Sequence, residues 1–325
     1  MIACSDSNEW DRLAINSPQG NLFCEEVYLR LSEVKNRRYL IKQGDQIKAG
    51  ISLILSDDEN ACLLDDLIIY GGIIFLPDLD RKQVRLRHEQ FEITEFAIQY
   101  LTEQFAHIEL SLAPQFQDMR PFLWHEYHNL DPNSKFVLDL RYTSYVDISS
   151  LNDNGKDEDS SLFCNMETLR QRHVRDAKRR GGKFNFGLNC KLLLEYYNYL
   201  MSSQGEVVPS SKLGRVRRLI DGLILERRCV IFQVLNLHGV VIYATAYAWD
   251  SKRAYYLFGA GNPMASEPWQ GTFAHWSAFL YFAKQLDLNE VDMEGVNSPN
   301  RGWFKLGFGG SLKSYYQVYK KDNIR

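Results

Sequence analysis

The same order of predicted elements occurs twice along the chain, and this duplication restricts the possible folds more than any other feature of the sequence. Each half has helices, then a hairpin, a strand that ends in glycines, a helix and a final strand. The glycines are Gly71 and Gly72 in the first half, and Gly259 and Gly261 in the second. Because neither half repeats the strand–helix–strand unit of a doubly wound sheet, the order predicts the α/β class with mixed, α+β-type sheets in two tandem lobes.

Composition divides the chain at one acidic segment. Residues 1–148 are predicted as an N-terminal lobe, and residues 162–325 as a C-terminal lobe that carries a donor site. Between them, SSLNDNGKDEDSS at 149–161 has four acids and one apolar residue, which is typical of a linker or loop. Two hairpin turns are predicted from local signals, at Gly44-Asp45 and at His238-Gly239.

The net charge of the two halves has opposite signs. Residues 1–149 carry 14 Lys and Arg against 24 Asp and Glu, whereas residues 150–325 carry 24 against 17. Most of the excess lies between 167 and 228, with 14 basic against 6 acidic residues. This distribution indicates an anionic partner for the second half.

Several classes of protein are not expected. No apolar run approaches the roughly 18–20 residues of a membrane helix, and the start MIACSDSNEWDRL lacks the pattern of a signal peptide. The six cysteines are scattered, and the histidine pair in WHEYH has no clear third ligand, so no metal site is predicted. The expected location is the cytoplasm.

A loop in the second half has the features of a phosphate site. GAGNPMASEPWQGT brings Gln270, Gly271 and Thr272 to the start of a helix. The free backbone N–H groups and the dipole at such a start attract phosphate. A second interpretation is that Pro268 and the small residues simply begin the helix.

A basic helix precedes this loop in the sequence. Arg172, Arg175 and Arg179 fall on one stripe of the predicted helix TLRQRHVRDAKRRGG. Such a stripe suits the phosphates of a nucleotide, a coenzyme or a tRNA. It is equally consistent with a solvated helix face.

The last helix of the chain contains a lysine between aromatic residues. Lys305 follows Phe304 and precedes Phe308 in GWFKLGFGG. Partial desolvation strengthens the stabilisation of a developing oxyanion by a cation. The alternative is a lysine whose methylene stem packs on the rings while its charge reaches solvent.

Together these segments resemble one family of enzymes over roughly residues 165–320. The basic helix, YYLFGAGNP and DMEGVNSPNRGWFKLGFGGSL resemble FemAB-like transferases, a branch of the GNAT (N-acetyltransferase) superfamily. In the first half, PQFQDMRPFLWHEY is similar to a segment of sugar- or polysaccharide-associated members, which implies substrate binding by Asp118, Arg120 and Trp124.

The resemblance implies two fused GNAT-like lobes and acyl transfer to an amine, with Phe304 and Lys305 as the catalytic pair. Asp292 and Glu294 end the preceding strand, where either is placed to accept the proton of the amine or is simply an exposed strand-end acid. Gln270, Gly271 and Thr272, with Arg172 and Arg175, would hold the donor phosphates.

The resemblance also limits the donor. BioF2-like members imply acyl-CoA as a donor substrate, with no permanently bound cofactor, whereas FemAB-like peptidyltransferases use aminoacyl-tRNA. The charged helical arm of the tRNA-dependent members is not visible in 183–211. The predicted function is therefore N-acyl transfer from acyl-CoA to the amine of a sugar nucleotide, glycan or cell-envelope precursor. A tRNA-dependent peptidyltransferase and a non-catalytic GNAT-like binding module are the two alternatives.

Overall fold

The chain forms two compact units, and the first of them contains both ends of the chain. The computed structural model describes residues 1–78, 80–153 and 155–321. The first unit contains Met1–Arg141 and Ser314–Arg325, and the second contains Tyr142–Lys313. Among the described residues, no helix is both long and apolar enough to cross a membrane.

The first unit is built on an antiparallel sheet. Its helices are α1 (Ser7–Asn16), α2 (Glu26–Leu31), α3 (Gln83–Gln104) and α4 (Arg120–Trp124). Its strands are β1 (Ile2–Ala3), β2 (Asn36–Gln43), β3 (Gln46–Ile54), β4 (Ala61–Cys62), β5 (Gly72–Phe75) and β6 (His107–Ser111). The first three strands and β5 pair in the order β1-β2-β3-β5. The hairpin β2–β3 turns at Gly44, which has a φ of +58°, and the predicted turn is confirmed.

The second unit contains a mixed sheet crossed by a long apolar helix. Its helices are α5 (Ser161–Asn165), α6 (Thr168–Arg179), α7 (Lys191–Ser203), α8 (Ser210–Leu225), α9 (Gln270–Leu286) and α10 (Pro299–Leu306). Its strands are β8 (Lys183–Gly187), β9 (Cys229–Leu235), β10 (Val241–Trp249), β11 (Ala254–Gly261) and β12 (Glu290–Gly295). Strands β8 to β12 are antiparallel neighbours except for the parallel pair β11–β12, which α9 connects.

The division between the units differs from the predicted lobes. The chain passes from the first unit to the second within β7 (Val137–Asp147) and returns within β13 (Ser311–Lys321), so the first unit contains the final strand from Ser314 onward. The segment 149–161 lies inside the second unit, with Leu151 in its core; Asn154 is outside the described residues. The acidic composition of 149–161 reflects its exposure to solvent. The boundary between the two units depends instead on the pairing of strands, which composition does not reveal.

Three elements of the second unit were absent from the sequence prediction: α5, α8 and β8. Helix α8 buries Val216, Leu219, Ile220 and Leu223, which follow the spacing of an amphipathic helix. The pattern is present in the sequence, but the basic residues between these positions mask it. Strand β8 spans only the five residues Lys183–Gly187, so the alternation of Phe184 and Phe186 is too short to predict a strand by itself.

Candidate functional site

Two parallel strands separate in the second unit and open the site. Strands β11 and β12 pair at Ala254–Val291 and Tyr255–Asp292. Within the described residues this pairing does not continue, so the edge of β11 beyond Tyr255 has no strand partner on the β12 side. Backbone N–H and C=O groups at such an edge are available to a ligand that carries amide groups.

A β-bulge in β12 turns an acidic side chain out of the normal strand alternation. Between Asp292 and Gly295 the register against β7 shifts by one residue, and Glu294 adopts a φ of +55°. A positive φ is uncommon for a non-glycine residue and is frequently a feature of functional sites. The bulge therefore gives Glu294 an orientation that a regular strand would not allow.

Asp292 holds this bulge in place. Its Oδ1 accepts hydrogen bonds from the Thr143 hydroxyl at 2.5 Å and from the Glu294 backbone N–H at 2.7 Å. Asp292 is fully buried, and Glu294 is 8% exposed. The two acids thus differ: Asp292 braces the bulge, whereas the Oε1 of Glu294 has no hydrogen-bond partner among the described residues.

Helix α10 places Lys305, the lysine that the sequence predicts to be catalytic, beside the bulge in β12. The Lys305 ammonium donates to the Gly295 carbonyl at 3.0 Å and lies 5.0 Å from the ring centroid of Tyr256. Gly302 allows the helix to approach the bulge, because a Cβ there would lie 2.5 Å from the Val296 carbonyl oxygen. Lys305 and Glu294 are consequently neighbours at the point where the strands separate.

Burial shifts the proton affinities of this pair in opposite directions. It raises the pKa of the Glu294 carboxyl well above its usual range, and Asp292 adds to the rise while Lys305 opposes it. It lowers the pKa of the Lys305 ammonium, against the opposing effect of Glu294 and Asp292. Both groups are therefore nearer to exchanging a proton at neutral pH than an ordinary glutamate and lysine.

A neutral histidine packs behind the pair, and sequence reasoning missed it. His275 is fully buried on α9, and its ring centroid is 4.8 Å from that of Tyr256 and 5.5 Å from that of Phe304. Burial lowers its pKa to about 3, helped by the positive charges of Lys305 and Arg170. The available signal was a single histidine in an otherwise apolar helix.

The Nδ1 of His275 is hydrogen-bonded to the hydroxyl of Tyr247. Its Nε2 is buried and has no partner among the described residues. The His275 ring is therefore held by a hydrogen bond and is uncharged, so it adds no second positive charge near Lys305.

The start of α9 lies against α10. A Cβ on Gly271 would be 3.4 Å from the Phe304 ring, so this predicted phosphate-binding residue and the predicted catalytic Phe304 are adjacent. The Gln270 Oε1 accepts from the Glu267 N–H at 2.9 Å. Thr272 is 1% exposed, and its hydroxyl accepts from the Arg170 guanidinium at 3.1 Å. Thr272 therefore contributes to internal packing.

Arg170 lies on the basic helix α6, and its side chain contacts Phe304 at the site. Its guanidinium carbon lies 4.4 Å from the ring centroid of Phe304, and its side chain is only 12% exposed. Burial lowers the pKa of this guanidinium. Arg170 and His275 therefore both pack against Phe304.

Acidic residues neutralise much of the basic face of α6. Arg175 is 3.2 Å and Lys178 is 2.8 Å from the Glu158 carboxylate, and Arg175 also lies 5.0 Å from the ring of Phe163. Arg172 is exposed. The acidic segment 149–161 thus faces basic residues of its own unit.

The three residues predicted to bind substrate lie in the first unit. The Arg120 Nε donates to the Asp118 Oδ1 at 2.8 Å, and its guanidinium carbon is 5.5 Å from the ring centroid of Trp124. Asp118 and Arg120 line an open cavity of about 430 Å³, and Trp124 packs against the arginine. Among the described residues, no three His, Cys, Asp or Glu side chains converge as metal ligands.

Substituting Gly302 by alanine tests how α10 is positioned. Alanine would stabilise an unconstrained helix by about 0.5–1 kcal/mol relative to glycine. We expect the opposite sign here, a loss of about 1–3 kcal/mol in the free energy of unfolding, because the new Cβ meets a backbone atom. Urea denaturation measures the difference, with Asn300→Ala, an exposed change on the same helix, as the control. Equal stability of Gly302→Ala and the native protein would contradict the close approach.

Solved structures with the same architecture identify the fold. FemX is similar to this chain with a TM-score of 0.65 and 12% identity, over 97% of each chain. A tandem GNAT protein from the clavulanic acid biosynthesis pathway has a TM-score of 0.54 and 10% identity, over 98% of this chain and 96% of that one. L-PGS from Bacillus licheniformis has a TM-score of 0.52 and 10% identity, over 98% of this chain and 93% of that one.

No family model and no curated protein matches the sequence significantly. At such low identities the structural similarity establishes the fold: two GNAT-like lobes in tandem. The predicted α/β class with mixed sheets, the tandem GNAT-like lobes and the resemblance to FemAB-like proteins are confirmed at this level.

Proposed function

We propose that the chain transfers an acyl group from an activated thioester or ester to an amine, at the Glu294–Lys305 pair of the second unit. The observation that carries this proposal is the pair itself. A buried carboxyl with a raised pKa and an ammonium with a lowered pKa interact electrostatically where two strands separate. Groups with such displaced pKa values suit general acid–base chemistry.

In the proposed reaction, the amine nitrogen forms a bond to the donor carbonyl carbon. The carbonyl electrons move to its oxygen, and the ammonium of Lys305 donates a hydrogen bond to this oxyanion. The carboxylate of Glu294 takes the proton that the attacking nitrogen loses. The carbonyl then re-forms, and the carbon–sulfur bond breaks to release the thiolate of the donor. Phe304 and His275 exclude water from one side, which strengthens both electrostatic interactions.

Acyl-CoA is the proposed donor. Its amide-containing arm matches the unpaired edge of β11, and Gln270 and Gly271 at the start of α9 would receive its phosphates. Arg172, which is exposed, is proposed as a further phosphate contact. Arg175 is already paired with Glu158, so its contribution would require that ion pair to open. The proposed acceptor is an amine of a sugar nucleotide, glycan or cell-envelope precursor.

Aminoacyl-tRNA is the second candidate donor. The observation that favours it is the excess of 24 basic over 17 acidic residues in 150–325. Binding of tRNA would weaken steeply with salt, because each neutralised phosphate releases counterions. The ion pairs of Arg175 and Lys178 with Glu158 reduce the charge available for this binding.

Thermal unfolding separates these candidates. Coenzyme A is expected to raise the Tm of the native protein, because a ligand that binds only the folded state stabilises it. We expect Arg172→Ala to bind coenzyme A about tenfold more weakly in calorimetric titration, a loss of about 1.4 kcal/mol, with Arg179→Ala on the same stripe as the control. Salt-sensitive tRNA retention without a response to coenzyme A would establish the second candidate instead. A lack of both responses would favour the non-catalytic binding module and contradict the proposed transfer.

A further inference from the structure

Strand β8 of the second unit leaves one side of its backbone open to a partner. Its five residues pair with β9 from Lys183–Leu235 to Gly187–Ile231. Because β8 is the last strand of the sheet order, its other edge has no strand partner in the part of the chain that the structure describes. The N–H and C=O groups along such an edge can pair with an added strand.

Two phenylalanines lie along one face of this edge strand. Phe184 and Phe186 are 40% and 48% exposed. Their ring centroids lie 5.7 and 5.6 Å from that of the buried Phe232, and the Phe186 ring lies 5.4 Å from the ring of Tyr281. Packing on the core therefore holds both rings in place while a large part of each stays in contact with solvent.

Further apolar side chains continue this exposed area. Leu188, which follows the strand, is 91% exposed, and Leu237 in the turn after β9 is 74% exposed. Leu237 lies beside the start of β8, because a Cβ on Gly181 would be 3.1 Å from it. Short length and a lysine protect many edge strands from pairing, but such protection does not require exposed phenylalanines. Adjoining apolar residues at an open edge are typical of an interaction surface.

The charge around β8 favours an acidic partner. Lys183 and Lys191, on either side of 184–190, have no ion pair among the described residues, and β9 carries no charged residue. A second copy of this chain would bring the same positive charge against itself, which disfavours self-association. Between Asp176 and Glu195 the sequence has no acid and five basic residues, of which the first three form ion pairs within their own unit: Lys178, Arg179, Arg180, Lys183 and Lys191.

A peptide fits this edge better than a nucleic acid does. An extended peptide has N–H and C=O groups that pair with those of β8, and its alternate side chains fall on the face of Phe184 and Phe186. A nucleic acid could contact the lysines and stack on the rings. It would not supply the regular donors and acceptors that the backbone of an edge strand needs.

We propose that β8 is a docking site for an extended acidic peptide segment, which adds a strand to the sheet. Its apolar side chains would pack on Phe184 and Phe186, and its acids would lie near Lys183 and Lys191. Strands β9, β10 and β11 separate β8 from β12, which carries Glu294. The docking site is therefore distinct from the proposed acyl-transfer site and does not depend on that function.

Fluorescence anisotropy with a labelled heptapeptide of alternating glutamate and valine tests the docking. We expect the native protein to bind this peptide and not the corresponding peptide of lysine and valine. Phe186→Thr removes an apolar contact and Lys183→Glu reverses a charge, so each should weaken binding by about tenfold or more. Tyr127→Thr and Lys42→Glu, exposed changes in the first unit, should bind as the native protein does, and so should Lys305→Met.

Hydrogen exchange distinguishes an added strand from side-chain contact alone. Successive residues of a strand direct their backbone groups to opposite sides. Binding of the acidic peptide should therefore slow exchange at those amides of 183–187 that are not bonded to β9. The amides of β2, an exposed-edged strand pair's partner in the first unit, serve as the internal reference and should not change.

The proposal is overturned if the native protein does not bind the acidic peptide at about 1 mM, if Phe186→Thr and Lys183→Glu both bind as the native protein does, or if exchange in β8 is unchanged. Lys183 is exposed, so its variant remains informative even if Phe186→Thr fails to fold. Binding of oligouridylate in place of the peptide, through the same residues, would assign the surface to a nucleic acid. Dimerisation that Phe186→Thr abolishes would assign it to a second copy.

Discussion

Replacing Lys305 by methionine is expected to lower kcat/KM for acyl transfer by about 10²–10³, the usual effect of removing one oxyanion donor. Methionine keeps most of the apolar stem that packs beside Tyr256 and Phe304, but it removes the hydrogen bond to the Gly295 carbonyl and the positive charge. The free energy of unfolding should change little, because burial already disfavours the charged ammonium and Glu294, whose pKa is raised, can take up a proton when the cation is removed.

Release of free thiol from acetyl-CoA, with glucosamine as the amine, measures this loss. Lys191→Met is the matched control, because Lys191 is an exposed lysine at the start of α7. The Lys305→Arg variant shows whether the reaction needs only a positive charge or also the shape of the ammonium, because arginine keeps the charge but carries a planar guanidinium. Native turnover in Lys305→Met would remove Lys305 from the reaction, whatever the other variants do.

Substituting Glu294 by glutamine is expected to lower the maximal rate by about 10²–10⁴ and to change the pH profile. In the native protein the reaction needs Glu294 ionised and Lys305 protonated. Because the pKa of Glu294 is raised, the acid limb of kcat/KM should lie at higher pH than for an ordinary glutamate. Because the pKa of Lys305 is lowered, the basic limb should lie at lower pH than for an ordinary lysine. The plot of kcat/KM against pH should therefore be a narrow bell, and its two apparent pKa values describe the interacting pair rather than either residue alone.

In the Glu294→Gln variant, kcat/KM should no longer fall towards low pH, but it should still fall towards high pH. The variant should also gain stability relative to the native protein as the pH rises. Glu294 binds its proton more tightly when folded, so its contribution is fully present below the unfolded pKa and is lost as the pH rises through the folded pKa. Urea denaturation across this range measures the difference, with Glu206→Gln as an exposed control. An unchanged acid limb in Glu294→Gln would assign the proton transfer to another group.

Local sequence signals located much of the candidate site. The order Asp292, Glu294, Phe304 and Lys305 falls on one strand and the next helix, and the structure brings the second and fourth of these together. Glycine and proline mark where those elements begin and end, and that information is local. The different tasks of Asp292 and Glu294 were not predictable, because they arise from the bulge and from Thr143, which is 149 residues from Asp292 in sequence.

The basic stripe on α6 is a second feature that could be only partly predicted from the sequence. Sequence spacing placed Arg172, Arg175 and Arg179 on one helix face and allowed an i,i+3 pair of Asp176 with Arg179, but it did not show that Glu158 pairs with Arg175. In the structure, Glu158 is bonded to Arg175, and Asp176 to Arg179. Arg170, which the phosphate prediction did not include, lies against Phe304 and donates to Thr272, 102 residues away. Charge can be counted in a sequence, whereas neutralisation depends on contacts.

By itself, the sequence determined the duplicated order of elements, the mixed α/β class, the opposite charges of the two halves and the helix that carries Phe304 and Lys305. These follow from periodicity, turn residues and composition, which act over a few neighbouring positions. The tertiary structure alone decided where the chain passes from one unit to the other, which acid among the described residues has an oxygen without a hydrogen-bond partner, and which residues surround Arg170. Those outcomes depend on burial and on contacts between distant residues, such as Asp292 with Thr143 and Arg170 with Thr272, because desolvation is a property of the packed chain.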